Sequence, residues 1–181
     1  MENERILLQG AQVALTIERL CYQLIERHGS FEQSCLVGVQ PRGAIFAEQL
    51  HKTLQTILPN TVVSFGKMDT TFYRDDFRMH ETPLKAHSNE MNLTLTNKRV
   101  ILIDDVLYSG RTTRAALDAM QHYGRPAQVE LLTLVDRRFN RSLPIRADYV
   151  GITVDALNEA YIKVEWQHLH GQDRILFFNH K

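Results

Sequence analysis

Apolar residues along the chain follow two rhythms. Between residues 11 and 28, Val13, Ile17, Leu20 and Leu24 recur at helical spacing, and the stretch ends in Arg27, His28 and Gly29. A short apolar run over 35–39 predicts a buried strand. The turn Gln40-Pro-Arg-Gly43 follows it, and a second helix is expected over 44–57, broken by Pro59 and Asn60. Residues 61–65 are β-branched and strand-like. The strongest strand pattern covers 99–104, with a helix over 112–123 stopped by Gly124 and Pro126. Further strands are predicted at 129–135, 149–154, 162–166 and 175–178. Near-continuous apolar strands alternating with helices predict an α/β fold with a mainly parallel central sheet flanked by helices. With 181 residues and no repeat or linker, one domain over 1–181 is expected.

Residues 70–98 break both rhythms. They are polar and charged, with Tyr73-Arg-Asp-Asp76, two histidines, Pro83 and several asparagines. A connection this long in a compact fold is usually functional or disordered. It reads as a mobile loop or hairpin over a site. A solvated insertion competes with that reading for 78–96, and less so for 69–76.

Composition narrows the classes. Hydrophobic residues make up 44% and charged residues 23%, an ordinary globular balance. The 21 basic and 21 acidic residues give no overall field toward nucleic acid or membrane, so any such surface must be a local patch. No apolar run approaches the ~20 residues of a membrane helix. The start Met-Glu-Asn-Glu-Arg lacks a signal-peptide pattern, so a cytoplasmic protein without membrane partners is expected. Cys21 and Cys35 have no paired-ligand spacing and read as small buried hydrophobes.

The chemistry concentrates in Val100-Ile-Leu-Ile-Asp-Asp-Val-Leu-Tyr-Ser-Gly-Arg-Thr-Thr-Arg114. Four apolar residues make a strand, and Asp104 and Asp105 stand at its C-terminal edge, where open parallel sheets bind ligands. Tyr108, Ser109, Gly110 and Arg111 make a turn, and Thr112 and Thr113 open a helix whose N-terminal amides and dipole favour an anion. Carboxylates beside a phosphate cradle suit a ligand with vicinal hydroxyls and a phosphate, such as a ribose 5-phosphate. A plain helix cap after an acidic strand end explains the pair of aspartates but not the whole string. Neither the nucleotide-triphosphate loop nor the dinucleotide glycine pattern is present.

This segment resembles the phosphoribosyl-pyrophosphate motif of type I phosphoribosyltransferases. Together with Leu36-Val-Gly-Val-Gln-Pro-Arg-Gly43, Asp69-Thr-Thr-Phe-Tyr-Arg-Asp-Asp76 and Leu143-Pro-Ile-Arg-Ala-Asp-Tyr149, it resembles the bacterial pyrimidine-operon attenuator/uracil phosphoribosyltransferase family. The likeness covers residues 19–151. It implies the type I phosphoribosyltransferase fold with a mobile loop and a small hood. It also implies a reaction of uracil with phosphoribosyl pyrophosphate that gives UMP and pyrophosphate with Mg²⁺. Asp104 and Asp105 would hold the ribose hydroxyls, directly or through Mg²⁺. Tyr108, Ser109, Gly110, Arg111, Thr112 and Thr113 would hold the 5-phosphate. Pro41, Arg42 and Gly43 would present amides and a guanidinium to pyrophosphate, over which Arg74 would close. For Asp75 and Asp76 a solvated face competes evenly with a metal or anchoring role. Purine relatives carry a carboxylate where this chain has Tyr108, which suits uracil, whose ring N–H is the more acidic. Arg137 would donate to a uracil carbonyl, with backbone groups near 156–161 as the alternative.

Family members that attenuate transcription bind pyrimidine-operon messenger RNA under uridine-nucleotide control. Arg19, Arg27, Arg141 and Arg146 match their basic residues. Glu18, Tyr22, Asn140 and Ile152 replace a Thr, a His, a His and a Lys, and Arg138 replaces a Gly. The readings that stay open are an enzyme making UMP, a nucleotide-sensing RNA-binding regulator with little catalysis, and a transferase for another base. The resemblance implies a homodimer or tetramer.

Overall fold

The computed structural model describes residues 3–74, 90–139, 141–156 and 160–179. The chain opens with β1 (Asn3–Gln9) and α1 (Ala11–His28). It then builds β2 (Ser34–Val39), α2 (Arg42–Ile57), β3 (Ser64–Met68), β4 (Arg99–Leu107), α3 (Arg111–Met120), β5 (Gln128–Arg138) and β6 (Tyr149–Asp155). It closes with β7 (Ala160–Glu165), α4 (Gln167–His170) and β8 (Arg174–Asn179). The five strands β3-β2-β4-β5-β6 form a parallel sheet in that order. A smaller antiparallel sheet, β1-β8-β7, stands apart as the hood.

Alternation along the strands divides the core between the two faces of the large sheet. Leu36, Ile101, Ile103, Leu132 and Leu134 point toward α1 and α2, whose Leu20, Leu24, Phe46 and Leu50 are buried against them. Cys35, Val37, Val100, Leu102 and Leu131 point to the other face, onto Ala116, Ala119 and Met120 of α3. Strands covered on both faces read as continuous apolar runs, the pattern their sequence shows. Cys21 and Cys35 are buried, and desolvation pushes their thiols up to about 12 and about 11. No described helix is long and apolar enough to cross a membrane.

One expected strand needs correction. The strand expected at 61–65 lies at Ser64–Met68, because its pairing with β2 begins with Ser64 opposite Cys35. Residues 61–63 therefore have no strand to join, and Val62 stays 85% exposed. β1 went unread because its first half is polar and its partner, β8, lies at the far end of the chain. The segment 70–98, expected as a mobile loop or hairpin, returns to the sheet at its far end. Lys67 and Glu90 exchange backbone hydrogen bonds at 3.1 and 3.0 Å, Met91 and Leu93 pack on the α3-side core, and Leu95 is fully buried. Residues 75–89, including Asp75 and Asp76, lie outside the described residues, as do Asn140 and 157–159.

Candidate active site

The order of the parallel sheet places a crevice at one position. β2 continues outward to β3 and β4 outward to β5, so the loops after β2 and β4 diverge at their C-terminal ends. Open sheets bind ligands at such a switch point. Both the 40–43 turn and the Asp104–Thr113 string arrive there.

On the first side, the turn is pressed onto the end of β4. A Cβ on Gly43 would sit 2.6 Å from the Ile103 carbonyl oxygen and 2.8 Å from Asp104 Cα, so only glycine permits this approach. α2 starts at Arg42, two residues before the expected start. Arg42 Nη1 donates to the Tyr161 hydroxyl at 3.2 Å, which ties the turn to the hood. Burial works against the Arg42 charge, but Tyr161 and the fields of Asp105 and Asp104 outweigh it and its pKa rises.

Asp104 and Asp105 are buried side by side. Asp104 Oδ1 accepts the Asp105 N–H at 3.0 Å, and Asp105 Oδ1 accepts the Val106 N–H at 2.9 Å. Burial, reinforced by the neighbouring Asp105 charge, raises Asp104 well above the usual carboxylate range. Burial also raises Asp105, with Arg42 opposing.

On the second side, residues 108–110 turn the chain from β4 into α3. Gly110 has φ 88°, a left-handed conformation that L side chains rarely adopt. A Cβ there would also meet Ile145 Cδ1 at 3.2 Å. The Ser109 carbonyl accepts N–H groups from Ser142 and Leu143 at 3.0 and 3.2 Å. Tyr108 lies over the Arg137 guanidinium, 4.1 Å from ring centroid to Cζ. Burial lowers the Arg137 pKa, with Tyr108 opposing.

These walls enclose two adjoining chambers. A cleft of about 440 Å³ runs between Pro41, Arg42, Asp104, Asp105, Tyr108 and Arg137, with Tyr161 and Ile162 of the hood also lining it. A second space of about 400 Å³ follows Tyr108 through Thr113. Arg74, Asp104, Tyr108 and Thr112 line both. Arg74 arrives from an Asp69 turn, whose Oδ1 accepts the Thr71 N–H at 2.9 Å and its hydroxyl at 2.6 Å. The predicted set from the 40–43 turn, the 104–113 string, Arg74 and Arg137 thus converges on one crevice. Tyr161 and Ile162 were missed as side-chain participants, since nothing in a hood strand signals which loop it will face.

The family description "Phosphoribosyl transferase domain" matches residues 5–168. The chain belongs to the phosphoribosyltransferase family. Among its curated relatives, the "Bifunctional protein PyrR" of Actinobacillus pleuropneumoniae serotype 5b is 41% identical over 179 residues, covering 98% of each chain. The protein of the same name from Bacillus mycoides is 37% identical over 182 residues, covering 99% of each. Within the phosphoribosyltransferases it therefore falls among the PyrR proteins. A Staphylococcus aureus hypoxanthine phosphoribosyltransferase superposes with a TM-score of 0.67 at 22% identity, covering 95% of this chain and 90% of the other. That likeness shows the type I fold.

The arginines expected on a basic RNA surface separate in this phosphoribosyltransferase. Arg141 is engaged by the protein itself. It is turned inward, donating to the carbonyls of Leu107, Tyr108, Arg137 and Ile145 and pairing with Asp136. Arg19 donates to the Gly151 and Val150 carbonyls at 2.5 and 3.2 Å, and so fastens α1 to β6. Arg27 pairs with Glu130 at 2.8 Å while its side chain stays 52% exposed. Arg146 is exposed. Arg138, the residue in place of a glycine, makes a two-pronged pair with Asp155 at 2.6 and 2.8 Å.

Proposed function

We propose that this phosphoribosyltransferase joins uracil to phosphoribosyl pyrophosphate, forming UMP and releasing pyrophosphate. The observation that carries the reading is the continuity of the two chambers through Asp104. Carboxylates for a ribose lie between a glycine turn at a helix N-terminus, suited to a 5-phosphate, and Arg42 with Arg74, suited to pyrophosphate.

The chemistry follows from those positions. Breaking the bond from ribose C1 to pyrophosphate leaves an oxocarbenium-like centre, so the protein's work is positioning and charge stabilisation. The loop from Tyr108 to Thr113 fixes the phosphate end, and Asp104 and Asp105 hold the ribose hydroxyls. Arg42 and Arg74 meet the charge that grows on the leaving pyrophosphate. The buried carboxylate pair offers only hard oxygen donors, which fits Mg²⁺. When bound by Asp104 and Asp105, directly or through water, Mg²⁺ would supply charge neutralisation for the phosphates. Tyr108 stacks on Arg137, and an aromatic ring rather than a carboxylate at this position suits the acidic N–H of uracil, to whose carbonyl Arg137 would donate. Pyrophosphate release from phosphoribosyl pyrophosphate, measured against a panel of uracil, orotate, hypoxanthine and guanine, tests this. Release with uracil supports it; release with a purine alone refutes the choice of base.

A second function is regulation of pyrimidine-operon messenger RNA in response to UMP. It is favoured by the word "bifunctional" in the relatives' names and by the exposed surfaces of Arg27 and Arg146. Filter binding of the operon leader should then tighten with UMP and weaken with salt. Affinity indifferent to both removes this function and leaves the first untouched.

A further inference from the structure

We infer that Arg141 is a positioning residue for the 5-phosphate end of the site, acting through the backbone it holds. The inference rests on the phosphoribosyltransferase reading above and deepens it.

A peptide plane is rigid and trans, so fixing one carbonyl fixes the next N–H to point the opposite way. Three successive carbonyls, from the end of β4 into the turn after it, are fixed in this manner. Those of Leu107 and Tyr108 accept from Arg141 Nη1, the first at 3.1 Å. That of Ser109 accepts from the Ser142 and Leu143 N–H groups at 3.0 and 3.2 Å. The N–H groups of Tyr108, Ser109 and Gly110 must therefore point away from the 141–143 segment. Successive amides held in parallel make an anion-binding nest, and residues 107–113 line the 400 Å³ chamber.

The side chain is itself held from every direction. Nη2 pairs with Asp136 at the end of β5, Nη1 also reaches the Arg137 carbonyl at 3.2 Å, and Nε donates to the Ile145 carbonyl at 3.1 Å. Ile145 is also the residue packed against Gly110. One guanidinium thus joins the end of β4, the end of β5 and the 141–145 segment. The planar fork of arginine can serve these acceptors together, whereas an ammonium cannot.

The test compares ligands that use different ends of the site. Calorimetric affinities for phosphoribosyl pyrophosphate with Mg²⁺, for UMP and for pyrophosphate are measured on the full chain and on Arg141→Met and Arg141→Lys. For Arg141→Met, the first two ligands weaken about tenfold or more, as misplaced binding groups do. Pyrophosphate, held at the Arg42 end, changes by less than about twofold, as expected of sites that do not share partners. Arg141→Lys recovers part of the loss. Equal loss for all three ligands, or loss for none, overturns the inference. If circular dichroism shows Arg141→Met unfolded, Asp136→Asn, which keeps the guanidinium but loosens its tether, must show the same split in smaller measure; its absence overturns the inference too. A wild-type chain that binds no phosphoribosyl pyrophosphate overturns the underlying reading. One that binds it while Arg141→Met binds equally well overturns only the role of Arg141.

Discussion

Both ends of the parallel sheet bury carboxylates, and the two ends treat them in opposite ways. At the N-terminal end of β5, Glu130 accepts from Tyr149 at 2.7 Å, His28 Nε2 at 2.9 Å, Arg27 Nε at 2.8 Å and Gln128 at 2.8 Å. His28 completes the network by accepting from Ser34 at 2.8 Å. Burial alone would raise Glu130, but its hydrogen bonds with Tyr149 and Arg27 and the field of His28 outweigh it and hold the carboxyl below its usual value. At the C-terminal end of β4, burial and mutual repulsion instead drive Asp104 upward, with Arg42 offsetting a part. The first arrangement is finished by the chain itself. The second is not, and buried carboxylates raised in this way mark candidate functional sites.

Substitutions that neutralise one end at a time separate the two ends most. Asp105→Asn is expected to lower kcat/KM by about a hundredfold or more, as loss of a preorganised polar group does, while the melting temperature holds or rises. Steady-state kinetics beside thermal melts check both halves. Glu130→Gln should do the reverse: it leaves kcat/KM within about twofold and costs about 2 kcal/mol of stability, because donors to a buried carboxylate lose a charged partner. Denaturant unfolding reads that loss.

Acid sharpens the same contrast. Burial lowers the His28 pKa, with the fields of Arg99 and Arg27 adding to it and Glu130 opposing, so the unfolded chain takes up a proton first as pH falls below about 6.5. Glu130 is lowered as well, so its contribution is intact above about 4.5 and is lost as pH falls through the folded value. Both groups therefore favour the folded state more as pH rises. The melting temperature should decline below pH 6.5 and fall further below 4.5, with the second step smaller in Glu130→Gln. The smallest effect belongs to Tyr161→Phe. Removing the hydroxyl on Arg42 should raise KM for phosphoribosyl pyrophosphate about threefold to tenfold, the worth of one net hydrogen bond, with kcat little changed.

How much of this was legible in the sequence depended on the range of the interactions. Strands β2, β4 and β5 were readable because each is buried on both faces and its apolar run is unbroken. The Asp104–Thr113 string was readable because strand end, turn and helix start are contiguous. β1 was not, since its pairing with β8 spans nearly the whole chain. Leu95 lies in a polar stretch, and both its burial and the hydrogen bond of its N–H to the Tyr123 carbonyl come from distant contacts that no local pattern announces. Glu130 drew no notice because a single carboxylate among apolar neighbours looks the same whether paired or not. The internal partners of Arg141 are silent in sequence because most are backbone carbonyls.

Asp104 and Asp105 form the ribose end of the proposed phosphoribosyl pyrophosphate site. Calorimetric titration of Mg²⁺ and phosphoribosyl pyrophosphate into the wild-type chain and into the Asp104→Asn/Asp105→Asn chain tests this most directly. Binding by the first and none measurable by the second, with both folded, is the predicted result. Equal binding by the two would contradict it.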